Sequence, residues 1–383
     1  MLIPQEFNEI RPWEPEDFPV VFDRLLNSDQ FKKVLDFLYP GVPVEMIEQK
    51  LRGCKDNVDF QKTFVYPFLD KLMKKASTGY EMDAPALDKN SNYTFISNHR
   101  DIVMDSGLLD MCLINNNFST TCEIAIGDNL LSLPWVKDLV RINKAFIVER
   151  GLPMRQMLMA SKRLSEYMHF AINEKKENIW IAQREGRSKD SNDRTQEAIL
   201  KMMTMGGQGS IIDRLVELHI VPTAISYEFD PCDFLKAREF QQKRDVEGWK
   251  KAPMEDVISM QTGIFGYKGH VHYHAAPCID EWLHSLPEDM PKTDVYKVVA
   301  EHIDSEIYAN YRLYACNYIA LDELEGTSAH ADKYTVEEKT AFDQYLAGQL
   351  AKIELADRDE AYLKERMLTM YANPAKNFLA ATK

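Results

Sequence analysis

The chain of 383 residues is long enough to bury a sizeable core, and with 45% hydrophobic residues and no low-complexity run it excludes a disordered protein. Acidic residues outnumber basic ones, 60 against 46, and the formal charge of -14 excludes the broad attraction to phosphate backbones on which a nucleic-acid partner would depend. The six scattered cysteines form no CxxC pair and no metal-ligand spacing, so reduced, buried thiols are expected.

The opening MLIPQEFNEIRPWEPEDF has neither the basic start nor the apolar run of a secretory leader, and no stretch of about 18 uninterrupted apolar residues follows. A cytoplasmic location without a spanning helix is expected. Up to residue 88 the pattern is helical. Phe18, Val21, Phe22, Leu25, Phe31, Val34, Leu35 and Leu38 fall mostly at three- and four-residue steps until Pro40-Gly41 ends the run. A second run, FQKTFVYPFLDKLMKK, is apolar on one side. Such helices can pack on a core or rest on lipid.

From Asn92 the texture changes. NYTFIS, EIAIG, AFIV and NIWIAQ read as strands, and DSGLLDMCLI, NLLSLPWVKDLVRI and MRQMLMASKRLSEYMHFAI between them read as helices. This alternation predicts βαβ units around a mainly parallel sheet flanked by helices. HIVPTAISYE and HVHYHAAPCI read as two later strands, and the charged DFLKAREFQQKRDVEGWKK between them as an exposed helical insertion. GGQG at 206–209 reads as the cap of the helix before it, and the methionines of MRQMLMA and LKMMTM as helix packing rather than an acyl channel. Beyond Pro291, Val295, Val299, Ile303, Ile307, Tyr311 and Tyr314 draw a helical stripe, followed by two polar helices and a loose tail. The predicted organisation is a helical N-terminal region at 1–88, an α/β domain at 89–290 and a helical C-terminal extension at 291–383.

The segment FISNHRDIVMDSG contains His-Arg-Asp, as a protein-kinase catalytic loop does. A kinase would need asparagine at position 106, which is serine, and also a glycine-rich phosphate loop, a lysine strand and Asp-Phe-Gly, all absent. Four blocks in order, FISNHRDIVMD, AFIVER, AQREGRS and IVPTAISYE, instead resemble the motif blocks of the glycerol-3-phosphate and lysophosphatidic acid acyltransferase family. They run from Phe95 to Glu228, about a third of the chain.

The resemblance implies an α/β fold of the glycerolphosphate acyltransferase type and an enzyme that moves a fatty acyl group from a thioester to a hydroxyl. His99 would be the base, and Asp105 would orient it. Histidine suits that duty because its unperturbed pKa of ~6.5 allows proton exchange near pH 7, and a carboxylate on its other ring nitrogen fixes the tautomer. The family's pattern puts four residues between the two, whereas five separate His99 from Asp105, which leaves Asp101 as a rival partner. Arg150 closes the second block and would face the acceptor's phosphate, a natural match for a guanidinium fork. In the third block Glu185, Gly186, Arg187 and Ser188 stand where the family reads Glu-Gly-Thr-Arg-Ser, one residue short. With Arg100 they would hold the anionic head, and Pro222 of the fourth block would shape the acyl pocket.

No tightly bound cofactor and no metal are expected. Acyl-CoA or acyl carrier protein would serve as co-substrate, a glycerolipid as acceptor and the membrane surface as a peripheral partner. Alternating His270, His272 and His274 share a strand face, but no local carboxylate or cysteine completes a metal set. Two other readings remain: O-acylation of a lyso amino-acid lipid, and a lipid-binding protein that kept the fold without turnover.

Overall fold

The computed structural model describes residues 2–383. Seven strands form one sheet: β1 (Gly79–Asp83), β2 (Thr94–Ser97), β3 (Cys122–Gly127), β4 (Ala145–Val148), β5 (Asn178–Ala182), β6 (Ile220–Tyr227) and β7 (His270–Ala275), in the spatial order β1-β7-β6-β2-β5-β3-β4. From β6 to β4 every pairing is parallel; β7 runs antiparallel to β6, and β1 parallel to β7. The mainly parallel α/β fold with helices at both ends is thus present, with two reversed strands at one edge.

Continuous apolar runs make the central strands because helices cover both faces of the sheet. Phe95 and Ile96 show the alternation. Phe95 joins Trp180, Val221, Ile225 and Tyr273 under the Tyr66–Ala76 and Met104–Asn115 helices, while Ile96 joins Ile179, Ile181 and Ile220 under the Met154–Phe170 and Lys292–Ala309 helices. The N-terminal helices keep a core of their own around Phe22, Leu25 and Leu51, and the last three helices another around Ile319, Leu363 and Ala372.

Several expectations need correction. The first helical run breaks into Phe18–Leu26 and Asp29–Leu38, because Ser28 accepts from the Phe31 N–H and starts a new helix. β1 falls inside the region read as helical: GYEMD is a short, half-polar edge strand. The insertion is not a solvated helix. Its Asp233–Asp245 helix buries Asp233, Lys236, Ala237 and Gln241. The expected loose tail is the Glu360–Ala381 helix, with Leu363, Met367 and Tyr371 buried. Pro222 lies inside β6, at the end of the β7 ladder where its carbonyl accepts from the Ala276 N–H at 2.9 Å.

Candidate active site

At the carboxyl end of β2 the chain leaves the sheet through Asn98. Its side chain donates to the Ile225 carbonyl and accepts from the Ile225 N–H, both at 2.8 Å, so an amide side chain stands in for the next rung of the β2–β6 ladder. The backbone is thereby free to turn outward, and His99 emerges at the sheet's end. Trp180 on β5 sets its ring edge-on to the imidazole at 5.6 Å, its own N–H tied to Ser97 Oγ at 3.0 Å.

The Met104–Asn115 helix starts five residues later, with Asp105 buried in its first turn. Asp105 Oδ2 lies 2.7 Å from His99 Nδ1 and also accepts from the backbone N–H of Arg100 at 2.6 Å and of Asp101 at 3.0 Å. A carboxylate can only accept, so it holds the proton on Nδ1 and leaves the Nε2 lone pair free to act as a base. Asp101 does different work. Its Oδ1 accepts from Val103 N–H at 2.9 Å and Met104 N–H at 2.8 Å, opening the helix, while its other oxygen packs against Gly263, where a Cβ would come within 1.8 Å. Burial, and then the nearby Asp105 carboxylate, push the Asp101 carboxyl upward. The extra residue between His99 and Asp105 is absorbed in the turn before the helix, so Asp105 reaches the ring and Asp101 does not.

His99 lines a cavity of about 660 Å³ at the carboxyl ends of β2 to β5, where open α/β sheets generally bind ligands. The lining divides by chemistry. Ile124, Ile126, Met157, Ala160, Leu164 and Ile199 supply apolar surface; Arg150, Arg184, Arg187, Lys189 and Lys251 supply cations. Arg150, partly exposed, pairs with the exposed Glu185, and its backbone N–H bonds Asp128 Oδ1 at 3.2 Å. Gly186 lines the cavity at φ +68°, a conformation that costs glycine little; no atom lies within 4 Å of where its Cβ would be, so the turn rather than close packing requires glycine. Arg187 is 8% exposed, with one Nη buried and unpartnered among the described residues.

Two expected substrate contacts fall elsewhere. Arg100 is buried in an ion pair with Asp193 at 2.5 Å and donates to Tyr311 Oη at 3.4 Å, away from the cavity lining. Ser188 is buried and gives its hydroxyl to Asp190 at 2.7 Å, shaping the loop rather than the wall. Pro222 is absent from the lining as well, while Met157 and Met202, expected as plain packing, belong to it. Arg184 sits within the third block and could have been read from it. Lys251 could not, since its insertion is contiguous with the site only in space. Of the strand histidines, His270 bonds Tyr314 Oη at 3.1 Å and His272 bonds Asp83 at 3.0 Å, and the rings of His272 and His274 stand 6.5 Å apart; the three do not converge.

Residues 81–226 match the acyltransferase family. The 1-acyl-sn-glycerophosphate (LPA) acyltransferase of Thermotoga maritima is similar at 13% identity over 76% of this chain and 95% of that one, with a TM-score of 0.38. No curated protein matches. The matched segment runs from β1 into β6 and contains His99, Asp105, Arg150 and Arg187, so the chain carries an acyltransferase domain.

Proposed function

We propose that the protein transfers a fatty acyl group from acyl-CoA or acyl carrier protein to a hydroxyl of glycerol 3-phosphate or lysophosphatidic acid in phospholipid synthesis. The observation that carries this reading is the His99–Asp105 pair opening onto one cavity with both apolar and cationic surface. That combination suits an acyl chain and an anionic acceptor meeting at a base. His99 Nε2 takes the acceptor's proton as its oxygen attacks the thioester carbonyl carbon. Asp105 steadies the imidazolium that forms, and a positioned base of this kind is worth about 10²- to 10⁴-fold. The tetrahedral intermediate then expels the thiolate, which recovers the proton from His99, so ester and thiol leave with no acyl-enzyme.

A peripheral membrane location fits the same reading. No helix among the described residues is long and apolar enough to cross a bilayer. The Met154–Phe170 helix exposes Met154, Leu158 and Met159 while lining the cavity with Met157 and Ala160, a route by which a lipid could pass between surface and site.

The test is an acceptor panel of glycerol 3-phosphate, lysophosphatidic acid and a lyso amino-acid lipid with labelled acyl donor, run on wild type and His99→Ala. Transfer to a phosphorylated acceptor by wild type, lost in folded His99→Ala, is expected. A folded His99→Ala enzyme that still turns over, or transfer to the amino-acid lipid alone, overturns the proposal.

A further inference from the structure

The family match ends at residue 226, yet the cavity wall continues beyond it: Lys251 and Asp256, from the insertion between β6 and β7, line it next to Arg187 and Lys189. We infer that Arg187, Lys189 and Lys251 form an anion subsite, built jointly by the loop after β5 and this insertion, that holds a phosphoryl group of a substrate. The inference rests on the acyl-transfer reading above and adds two residues to it that none of the four motif blocks contains.

Arg187 supplies the first reason. Its buried Nη has no acceptor among the described residues, and a buried, unpaired donor on a cation is costly unless a ligand completes it. Charge supplies the second. The three cations also line a smaller adjoining pocket with Lys236 and Arg238. The facing carboxylates are already engaged: Glu239 lies 2.9 Å from Lys189 and 2.8 Å from Lys243, Asp256 pairs with Lys251, and Glu255 lies 3.2 Å from Arg238. Despite Glu239, Lys189 is driven down to about 8, chiefly by burial and then by Arg187, with Lys251 adding to it. Five cations, Arg187, Lys189, Lys236, Arg238 and Lys251, stand against two carboxylates, Glu239 and Glu255, in the lining of that adjoining pocket, and an anion among the three would meet this excess of positive charge. A phosphoryl group offers three peripheral oxygens to three separate donors, whereas a carboxylate offers two.

That phosphoryl group can belong to the acceptor or to the terminal phosphomonoester of coenzyme A in the donor. The experiment uses the full chain and the variants Lys189→Met and Lys251→Met, which remove charge and keep a long stem. Titration with inorganic phosphate reads binding without turnover, and KM is measured separately for glycerol 3-phosphate and for acyl-CoA. Each variant should weaken phosphate binding at least 10-fold, and Lys251→Arg should restore most of it. A rise in acceptor KM assigns the subsite to the acceptor; a rise in donor KM assigns it to the donor. Unchanged phosphate affinity in both folded methionine variants overturns the inference. Because that affinity needs no acyl transfer, its loss in the variants of an enzyme inactive on phosphorylated acceptors would sink the proposed function and spare the subsite.

Discussion

Replacing Asp105 by asparagine separates the charge of the candidate dyad from its geometry. An asparagine oxygen can take the place of Asp105 Oδ2 and accept the same three bonds, from His99 Nδ1 at 2.7 Å and from the Arg100 and Asp101 N–H groups at 2.6 and 3.0 Å. The fold should therefore lose little, about 1 kcal/mol. What disappears is a buried negative charge in contact with an imidazole that must become an imidazolium in the transition state. The corresponding substitution in hydrolases with an analogous triad lowers turnover by about 10⁴, or roughly 5.5 kcal/mol at 1.36 kcal/mol per tenfold. We expect kcat for acyl transfer to fall by about 10³- to 10⁴-fold, with KM for both substrates within about threefold. The control is Asp101→Ala, which removes two helix-opening bonds and should cost about 0.5–2 kcal/mol of stability with a much smaller effect on kcat. Labelled acyl transfer under saturating substrates and urea unfolding of the same preparations give both numbers. If Asp105→Asn keeps more than about a tenth of wild-type kcat, or if folded Asp101→Ala is the more damaged catalyst, the dyad assignment is wrong.

Two further outcomes follow from single contacts. A Cβ added at Gly127 would lie 2.7 Å from Arg150 Nε and 2.5 Å from Asn129 Oδ1, at an ordinary backbone φ of -67°; Gly127→Ala should displace the Arg150 side chain and raise the acceptor KM about 3- to 10-fold, and an unchanged KM would show that Arg150 does not hold the acceptor. Lys268 is buried with, among the described residues, only the Ile264 and Gly266 carbonyls, at 3.0 and 2.7 Å, as acceptors, and burial lowers it from 10.5 to about 8. Between those values the unfolded chain binds the proton more tightly than the folded one. Stability should therefore rise with pH across about 8 to 10.5, by about 3 kcal/mol relative to Lys268→Met; urea unfolding of both proteins at the two ends of that window would refute this if the difference stays flat.

The dyad was legible because both partners sit within one short loop, where a strand end and a helix start fix their separation almost covalently. The central strands were legible for a similar reason: runs such as NIWIA and TFIS are apolar on both faces and fit nothing but a covered sheet. Legibility failed where the partner is distant in sequence. Nothing near Arg100 announces Asp193, 93 residues away, so an arginine beside the candidate base reads as a ligand for substrate. Lys251 failed in the opposite sense, because a charged insertion carries the composition of a solvated surface while its fold returns it to the cavity. Ser188 resembled a family donor, and only the loop's own Asp190 shows that its hydroxyl is already used.

The Arg100–Asp193 pair also explains why the C-terminal helices belong with the site although the family match ends before them. Asp193 lies in the loop that carries Arg184, Glu185 and Arg187, and Arg100 directly follows His99, so one buried pair joins the turn holding the candidate base to the loop holding the cations. The Lys292–Ala309 helix braces that loop from outside: Tyr308 donates to the Asp193 carbonyl, and Asp304 accepts from both the N–H and the hydroxyl of Thr195 at 2.7 Å. Asn373, on the last helix, donates to the Asp190 carbonyl at 2.8 Å. Breaking a buried pair by removing one partner typically costs 3–5 kcal/mol, so the pair resists any motion that separates base from cations. Acyl transfer between two bound substrates needs that fixed separation more than it needs any single contact, since misplacement of a reacting group by about 1 Å can cost about 10²-fold. The residues that fix it here come from the first block, the third loop and the C-terminal helices together.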